Sequence, residues 1–425
     1  MIDIQLIRKD PEAIKEAIAS LGAEAPIDEI VSLDLRRREI LQELEGLRQE
    51  RTETSARSGR REAGEERQAL IDSMGGVNDR IKALEVDLRN TEEALQQVMH
   101  EVPNLPDKSV PMGADESENL VLREEGRPRD FNFEPLPHWD LGPQLEILDF
   151  ERGVKLSGSR FYVLKGAGAK LQRALIQWML DLHVTQHGYT EIYPPAIVKE
   201  QCMWGAGQLP KFKHNIYRDA EDDLWLVGTA EIPLTNLHRD EILEAEDLPL
   251  SYVAYTPCFR REKFSGGRDV RGIKRGHQFD KVEMYKLTKP EDSYEALEQI
   301  LEHAAEVCRG LEIPYRVVQM VTGDLGFTAA KKYDLEIWAP GSEEWLEVSS
   351  VSNCEAFQAR RTEIRFRREK GAKPEYVHTL NGSGLALPRT MIAVLENYQQ
   401  ADGSVVVPDV LRPWMGGTQR IVSED

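Results

Sequence analysis

The chain has 425 residues, of which 40% are hydrophobic and 30% are charged, and its formal net charge at pH 7 is −20. One hydrophobic core rarely serves more than about 250–300 residues, so this length predicts two domains, with three as the alternative. The sequence has no run of about 18 apolar residues and no apolar N-terminal leader, which argues against a membrane helix and a secretory signal and predicts a cytosolic protein.

The net charge and the cysteine content restrict how the chain can bind nucleic acid and metal ions. The acidic composition disfavours non-specific binding of nucleic acid by the whole surface, so any such binding must use local basic patches. The four cysteines are widely spaced and form no C-x-x-C pair, which argues against a disulfide framework and a thiolate zinc site. We therefore expect no zinc, and any metal ion should be bound through oxygen atoms.

The first predicted element is a pair of long helices within residues 27–102. Between residues 65 and 102 the spacing of the seam positions alternates between four and three, the pattern of a coiled coil. These positions are Leu70, Met74, Val77, Ile81, Leu84, Leu88, Thr91, Leu95, Val98 and Val102. Residues 27–57 carry a similar stripe, interrupted by Arg37 and Arg51. We expect an antiparallel coiled-coil arm with helices of roughly 45–55 Å.

The bend between these helices, in SARSGRREAGEE, is rich in arginine. Arg57, Arg60 and Arg61 lie within five residues of one another. A charge run of mixed sign is equally compatible with an ordinary solvated turn and with a binding site.

Residues after Val102 change character. The segment PNLPDKSVPMGADESEN is rich in proline, glycine and acidic residues, which predicts a linker, and a second domain should begin within residues 110–150. An amphipathic helix is predicted around residues 168–186, and short β-rich runs such as LWLVGTAE and SYVAYTPCF follow. A strand-rich half with helices outside predicts an α+β domain built on an antiparallel sheet.

Residues 256–286, TPCFRREKFSGGRDVRGIKRGHQFDKVEMYK, concentrate positive charge, with nine Lys or Arg against four acidic residues and hence a net charge of +5. We predict a β-hairpin in which alternation puts two sets of side chains on separate faces: Cys258, Arg260 and Glu262 on one, and His277, Phe279, Lys281 and Glu283 on another. Phe279 and Glu283 should lie about 13 Å apart, a span that suits an elongated ligand. The 14-residue connection KFSGGRDVRGIKRG, with five Lys or Arg, predicts either a mobile anion-binding flap or a solvated loop.

Two further segments carry residues suited to ions. In LEVSSVSNCEAFQARR, residues 346–361, Glu347 and Ser350 offer oxygen ligands of the kind that hold Mg²⁺, although an acid beside serines on a strand more often has no such role. In LNGSGLALPRTMIAVLENYQ, residues 380–399, a helix should begin near Pro388, which puts Arg389 in its first turn. The macrodipole disfavours a cation there, so Arg389 either contacts an anion such as phosphate or points to solvent. Neither of the two common glycine-rich nucleotide-binding motifs occurs.

Together these segments resemble the class II aminoacyl-tRNA synthetases. FRRE with its long loop and HQFDKVE resembles motif 2 (about 251–286), GLALPRTMIAVLENYQ resembles motif 3 (about 380–399), and the helix ending in HGYTEIYPP resembles motif 1 (about 168–196). Within that class, LVGTAEIPL, GQLPKF, TGDLGFTAAKKYDLE and the heptad arm are similar to seryl-tRNA synthetases of the bacterial type. The resemblance implies an N-terminal tRNA-binding domain with a long helical hairpin (1–105), a linker (106–145) and a class II catalytic domain on an antiparallel sheet flanked by helices (146–425).

The resemblance implies a role for each matched residue. Arg260 and Arg389 should contact the phosphates of ATP during catalysis, and Phe279 should stack on adenine. The implied ATP contacts are Arg260, Arg261, Glu262, Phe279, Glu347, Val348, Ser349, Ser350 and Arg389. The implied serine pocket consists of Thr229, Ala230, Glu231, Arg260, Glu283 and Ser383. Glu347 and Ser350 should hold Mg²⁺ together with the nucleotide.

The resemblance also implies a reaction and partners. Serine and ATP should form seryl-adenylate and pyrophosphate, and serine should then pass to the 3′-terminal adenosine of tRNA(Ser), with tRNA(Sec) as a second candidate acceptor. The arm should grip the long variable arm of the tRNA, with Arg51, Arg57, Arg60 and Arg61 as candidate contacts. The family implies a homodimer in which the arm of one subunit presents tRNA to the active site of the other, without any membrane association.

Departures from the family pattern are few. Lys263 and Phe264 stand where a small residue and glycine are usual, Arg261 stands at a position that is commonly serine or glutamine, and Val351 stands where cysteine is frequent.

Two alternatives use the same fold: a paralogue that loads an amino acid onto a carrier protein, and a non-catalytic tRNA-binding regulator. Such paralogues lack the arm, and a regulator should have lost Arg260, Arg389 or Glu347. A coiled-coil tether would account for residues 27–102 alone.

Overall fold

The structure, a computed structural model, describes residues 1–58, 65–263 and 270–423, without the side chains of residues 57, 58 and 65–73. The chain divides into two compact units. One contains Ile2–Ala19 and Ala23–Pro103, and the other contains Met1, Ser20–Gly22 and the chain from Asn104 onward. Within the described ranges, no helix is both long and apolar enough to cross a lipid bilayer.

The helices and strands alternate irregularly along the chain. The helices are α1 (Ile4–Lys9), α2 (Pro11–Ser20), α3 (Ile27–Ser58), α4 (Glu65–Met99), α5 (His138–Gln144), α6 (Phe150–Ser157), α7 (Gly166–Thr185), α8 (Glu200–Gly205), α9 (Glu231–Thr235), α10 (Ser293–Gly310), α11 (Phe357–Thr362) and α12 (Leu387–Tyr398). The strands are β1 (Leu120–Glu125), β2 (Leu148–Asp149), β3 (Val163–Leu164), β4 (Thr190–Glu191), β5 (Ile197–Val198), β6 (Trp225–Leu226), β7 (Ile242–Glu244), β8 (Leu250–Phe259), β9 (Gln278–Thr288), β10 (Tyr315–Gln319), β11 (Lys331–Ala339), β12 (Glu344–Glu355), β13 (Arg365–Arg367), β14 (Glu375–Tyr376), β15 (His378–Ala386), β16 (Val405–Val406) and β17 (Arg420–Ile421).

The first unit is dominated by the helical hairpin of α3 and α4, which confirms the predicted arm. At a rise of about 1.5 Å per residue, 32 and 35 residues give lengths of about 48 and 53 Å. Their antiparallel course is visible in the ion pairs, since Arg37 pairs with Glu92 and the later Glu43 pairs with the earlier Arg80. The seam is closed by buried side chains of both helices, namely Ile40, Leu44, Ile81 and Leu84. Arg37 therefore interrupts the apolar stripe without breaking the helix.

The second unit is built on an eight-stranded sheet of order β1-β10-β11-β12-β15-β9-β8-β4. Every neighbouring pair is antiparallel except β4 with β8, which confirms the predicted α+β class. The apolar faces of α7, α10 and α12 join the main core with the sheet. Side chains alternate along β9, so Val282 and Met284 are buried in that core while Phe279 and Lys281 face the other side. The face of β9 that carries Phe279 and Lys281 is thus separate from the face that packs against the main core.

The segment 106–145 is part of the second unit, although its composition indicated a linker. Its residues 120–125 form β1, which pairs with β10 at the edge of the main sheet. Its α5 contributes buried Leu141 to the main core. Backbone pairing and this apolar contact outweigh the proline, glycine and acidic residues on which the interpretation rested, because composition does not record which partner a segment finds.

Candidate functional site

A cavity of about 480 Å³ opens on the polar face of the sheet. Strands β8, β9, β11, β12 and β15 and the first turn of α12 contribute to its walls, and its size is that of a small-molecule site. Its charged and polar lining includes Thr229, Glu231, Arg260, Glu262, Lys274, Arg275, Lys281, Lys332, Glu347, Ser350, Asn381, Ser383 and Arg389, and the ring of Phe279 also lines it. Three segments that are distant in sequence therefore meet here.

The hairpin of β8 and β9 places an arginine beside an aromatic ring in this cavity. Its register pairs Cys258 with Phe279, so the two sets of side chains that we expected on separate faces share one face. The expectation was wrong because a face assignment requires the cross-strand register, which alternation within one strand does not give. The guanidinium carbon of Arg260 lies 5.1 Å from the centre of the Phe279 ring, and Arg260 Nε donates to the carbonyl of Gly228 at 3.1 Å. The ring and the cation are thereby oriented together.

A β-bulge in β12 brings Glu347 and Ser350 to the cavity. Residues three apart in a regular strand face opposite sides of a sheet. Here Leu335 pairs with Ser349 and the next residue of β11 pairs with Glu347, which leaves Val348 as an extra residue. Because of this extra residue both Glu347 and Ser350 line the cavity. The predicted pairing of a carboxylate with a hydroxyl thus depends on a bulge.

Arg389 lies in the first turn of α12, as predicted, and it is turned toward the cavity. One guanidinium nitrogen, Nη1, donates to the backbone carbonyl of Glu347 at 2.6 Å and lies 3.3 Å from its carboxylate. The first turn of α12 contains no acidic residue. The carboxylate of Glu347 therefore supplies the negative charge that makes a cation tolerable at a helix N-terminus.

The acidic groups at this end of the cavity differ in their ionisation. Burial opposes the ionisation of Glu347, but the charges of Arg389 and Lys332 outweigh burial and hold the pKa of its carboxyl below the usual value. Asp334 lies opposite Ser350, and burial, with the charge of Glu347 as a smaller cause, raises its pKa to about 7. Oδ1 of Asp334 is buried and lacks a hydrogen-bond partner within the described ranges. A buried carboxylate oxygen without a partner is suited to a bound cation.

Another part of the cavity wall belongs to a cluster of buried charges, in which Glu231 and Lys281 line the cavity and Glu283 does not. Glu283 is completely buried and forms an ion pair with Lys281, and Asn381 Nδ2 donates to Glu283 Oε1 at 3.4 Å. Glu231, at the start of α9, accepts a hydrogen bond from Gln358 Nε2 at 2.6 Å. Burial, reinforced by the charge of Glu283, raises the pKa of Glu231 to about 7. This part of the cavity is suited to a small ligand that carries a cation and a hydrogen-bonding group.

The raised pKa of Glu231 predicts a pH-dependent stability. A carboxyl whose pKa rises from 4.5 in the unfolded chain to about 7 in the folded chain binds more protons when folded. The free energy of unfolding should therefore fall as pH rises from about 5 to about 7, by about 3 kcal/mol at most from this group. Glu231→Gln keeps the acceptor for Gln358 but cannot ionise, so its stability should decline less over that range. Urea unfolding at several pH values measures this difference.

The exposed Glu246 provides a control for this prediction. Glu246→Gln removes a carboxyl without altering the cavity, so its pH profile should follow that of the wild type. Parallel profiles for the wild type and Glu231→Gln would contradict the assignment of a raised pKa to Glu231.

Most of the ATP-site and serine-site residues singled out from sequence line this cavity, but Ala230, Ser349, Arg261 and the buried Glu283 do not. Ala230 is buried in an apolar cluster, and Ser349 faces away from Ser350 and donates to the carbonyl of Ser383 at 2.6 Å. The guanidinium carbon of Arg261 lies 4.4 Å from the ring centre of Tyr217, and its Nε donates to a backbone carbonyl beside that ring. Arg51 is exposed on α3 in the other unit. The predictions for Arg57, Arg60, Arg61 and Phe264 concern side chains outside the described part.

Sequence reasoning missed several charged residues of the cavity. Lys281 was placed on one face with Phe279 and Glu283 by the alternation in HQFDKVE, but it was given no role in the site. Lys332 had no such signal, because it lies on β11, which is brought to the cavity by its pairing with β12. Lys274 and Arg275 belong to the basic connection but were not singled out from it.

Comparison with known proteins identifies relatives over the whole chain. A family model described as the seryl-tRNA synthetase N-terminal domain matches residues 1–106, and one described as the tRNA synthetase class II core domain (G, H, P, S and T) matches residues 211–398. The chain is 61% identical over 422 residues to a serine–tRNA ligase from Roseiflexus sp. (strain RS-1), with 99% of each chain covered.

Two solved structures are also similar over nearly their full length. A seryl-tRNA synthetase from Pyrococcus horikoshii complexed with ATP superposes with a TM-score of 0.94 at 39% identity, covering 100% of both chains. A cytoplasmic serine–tRNA ligase from Naegleria fowleri in complex with AMP gives a TM-score of 0.88 at 32% identity, covering 100% of this chain and 99% of the other. The likeness thus extends from the helical arm to the end of the sheet domain.

Proposed function

The chain belongs to the seryl-tRNA synthetase family and is an ATP-dependent serine–tRNA ligase, and from this premise we propose that the cavity is where serine is activated. The observation that supports this assignment is the polarity of the cavity. Arg260, Arg389 and Glu347 line the cavity together with the buried acid Glu231, whose neighbour Glu283 is buried without lining it. Phe279 and Glu283 are four residues apart on β9, about 13 Å, which matches the length of an aminoacyl-adenylate.

The proposed first step is phosphoryl chemistry between two anions. An oxygen of the serine carboxylate attacks the α-phosphorus of ATP, the new P–O bond forms, and the bond to pyrophosphate breaks with its electrons leaving on pyrophosphate. Arg260 and Arg389 offset the charge on the phosphates, and Phe279 stacks on adenine. In the second step a hydroxyl oxygen of the terminal adenosine attacks the serine carbonyl, and AMP departs.

We propose Mg²⁺ as the metal that accompanies ATP, with Glu347 and Ser350 as its protein ligands. These are hard oxygen donors, and Mg²⁺ takes few protein ligands when substrate phosphates supply others. The unpartnered carboxyl oxygen of Asp334, which lies opposite Ser350 in the sheet, offers a further oxygen atom on the same strand pair. When bound, Mg²⁺ would offset charge on the phosphates. Among the described side chains no cluster of three or more His, Cys, Asp or Glu is arranged for a metal, which fits a site completed by nucleotide.

The buried acids are proposed to select serine. Glu231 and Thr229 bind the α-ammonium group, and Glu283 with Ser383 binds the side-chain hydroxyl. A site built to hydrogen-bond a hydroxyl rejects an analogue without it by roughly 10⁴ or more, because its polar groups are otherwise left unpaired. Lys281 forms an ion pair with Glu283 and offsets its charge.

The arm is proposed to bind tRNA(Ser) through Arg51 and the three arginines near the bend. Arg51→Ala should raise the KM for tRNA in serine charging about threefold to tenfold and reduce its salt dependence, because one phosphate contact is lost. Serine-dependent pyrophosphate exchange without tRNA should not change. Arg80→Ala is the matched control, since Arg80 is also an exposed arginine of the arm but is engaged by Glu43. Equal effects of the two substitutions on tRNA KM would contradict a specific role for Arg51.

We further propose a homodimer in which the arm of one subunit serves the active site of the other. Mixed dimers of Arg51→Ala with Arg389→Ala test this. If tRNA is presented between subunits, the mixed dimer contains one intact arm paired with one intact active site and charges tRNA at a KM close to wild type. If each arm serves its own subunit, the remaining active site keeps the raised KM of Arg51→Ala.

The experiment that tests the proposed function is amino-acid-dependent exchange of pyrophosphate into ATP, with each of the twenty amino acids and without tRNA. Exchange with serine alone supports the cavity assignment. Charging of tRNA(Ser), of tRNA(Sec) and of a carrier protein with radiolabelled serine then identifies the acceptor. Absence of exchange with serine would overturn the pocket assignment.

A further inference from the structure

Two buried side chains, His138 and Glu396, lie beside the cavity without lining it. Both have no exposed surface. His138 begins α5, and Glu396 lies near the end of α12, the helix whose first turn carries Arg389. Neither side chain is used in the proposed reaction.

Glu396 is held by five hydrogen-bond donors. Its Oε1 accepts from the backbone N–H of His138, from the His138 ring and from the Ser342 hydroxyl, each at 2.9 Å. Its Oε2 accepts from the backbone N–H groups of Gly341 at 3.0 Å and Ser342 at 2.9 Å. A buried carboxylate with this many donors is fixed in one orientation. Glu396 therefore fixes the His138 ring to α12.

The other ring nitrogen of His138 reaches the basic loop. The backbone N–H of Ile273 donates to His138 Nε2 at 3.2 Å, in a buried environment. Since a backbone N–H can only donate, Nε2 accepts, and the ring proton must sit on Nδ1 facing Glu396. The two contacts thus require one tautomer, and they connect α12 to residues 270–276, which we call the return limb.

The return limb also contacts Trp139 of α5, the helix that begins at His138. The Lys274 ammonium lies 5.1 Å and the Arg271 guanidinium 5.7 Å from the ring centre of Trp139, the residue after His138. Lys274 also forms an ion pair with Glu344. Lys274 and Arg275 both line the cavity. The position of these two cations therefore depends on contacts made outside the cavity.

We propose that His138 and Glu396 form a latch that holds the return limb to α12 and thereby positions Lys274 and Arg275 for the polyphosphate of ATP. His138 and Glu396 are positioning residues, because they act through the limb and do not touch the nucleotide. The latch rests on the proposed function, since it assumes that ATP occupies the cavity. The latch holds the return limb to α12, the helix that carries Arg389. The cations of the limb, Lys274 and Arg275, therefore keep a fixed distance from Arg389.

Two substitutions of His138 separate its two contacts. Asn can place an amide where Nδ1 stood and keep the contact with Glu396, but it is too short to reach Ile273. Gln can place an amide oxygen near the position of Nε2 and accept from Ile273. We expect His138→Asn to raise the KM for ATP in serine-dependent exchange about tenfold with little change in kcat, and His138→Gln to restore most of it. Equal KM values for the two variants would overturn the latch in favour of a packing role.

Gly272 tests the latch from the side of the loop. It has a φ of +66°, and an added Cβ would overlap with His138 Nε2. Gly272→Ala should therefore also raise the KM for ATP. Gly371→Ala is the control, because Gly371 has a similar φ of +89° and open space around its Cβ position. Wild-type exchange with an unchanged KM in Gly272→Ala and His138→Asn would overturn the latch alone, whereas absence of exchange in the wild type would overturn the proposed function.

Discussion

Arg389→Ala should reduce serine-dependent pyrophosphate exchange about 10³-fold or more, the largest loss that we expect from one substitution in the phosphate-binding end. Its guanidinium lies at the N-terminus of α12, is only 20% exposed, and is oriented by the backbone carbonyl of Glu347. A cation preorganised in a partly desolvated cavity stabilises charge that develops in the transition state far more than one in water. Initial rates of exchange at saturating serine and ATP measure the loss.

Arg389→Lys and the thermal unfolding temperature provide the controls for this prediction. Lysine keeps the charge but cannot reproduce the planar fork of arginine, so its activity should lie between those of the wild type and Arg389→Ala. The unfolding temperatures of both variants should remain close to that of the wild type, because the side chain is not part of the apolar core. Exchange by Arg389→Ala within about tenfold of wild type would refute the phosphate role.

Glu283→Gln should reduce kcat/KM for serine about 10³-fold while changing the KM for ATP little. Glu283 is fully buried, and its carboxylate is paired with the buried Lys281. The amide has nearly the same shape but lacks the charge, so Lys281 is left without its counter-ion and the serine hydroxyl loses its strongest acceptor. Because alanine makes no such hydrogen bond, discrimination between serine and alanine should also decrease.

Removing the charge of Lys281 distinguishes the effect of its lost counter-ion from the effect of the weakened hydrogen bond to serine. Lys281→Met in the Glu283→Gln background relieves the buried charge but does not restore the charged carboxylate acceptor for the hydroxyl. If hydrogen bonding to serine is the main role of Glu283, the double variant should remain as inactive toward serine as the single variant. Recovery of serine activity in the double variant would show that Glu283 serves Lys281 and not the substrate.

Several features of the fold could be predicted from local sequence. The heptad spacing predicted α3 and α4, since a seam of hydrophobic residues at every third and fourth position can be buried in only one way. Pro388 and the following apolar positions predicted the start of α12, which begins at Leu387. Arg260 and Arg389 lie in segments whose residues indicated anion binding, whereas the roles expected for Phe279 and Glu347 followed from the resemblance to class II synthetases.

Other features could not be predicted because they depend on neighbours that the local sequence does not identify. The sequence did not reveal that residues 120–125 form β1, because its partner, β10, lies about 190 residues later in the chain. The face assignment in the hairpin failed since register was required. The convergence of Glu347 with Ser350 depends on a bulge at Val348, and the presence of Lys332 in the cavity wall depends on the pairing of β11 with β12.

The sequence by itself determined the helical arm, the α+β class, the three motif-bearing segments and the types of charge that they bring. Periodicity, capping and residue chemistry are local properties, so a linear pattern is sufficient to reveal them. Only the tertiary structure decided which charges share one cavity, that Glu231 and Glu283 are buried together, and that Glu396 reaches the basic loop through His138. Burial, register and pairing arise from contacts between distant segments, and these contacts set both the pKa of Glu231 and the position of the cations around the cavity.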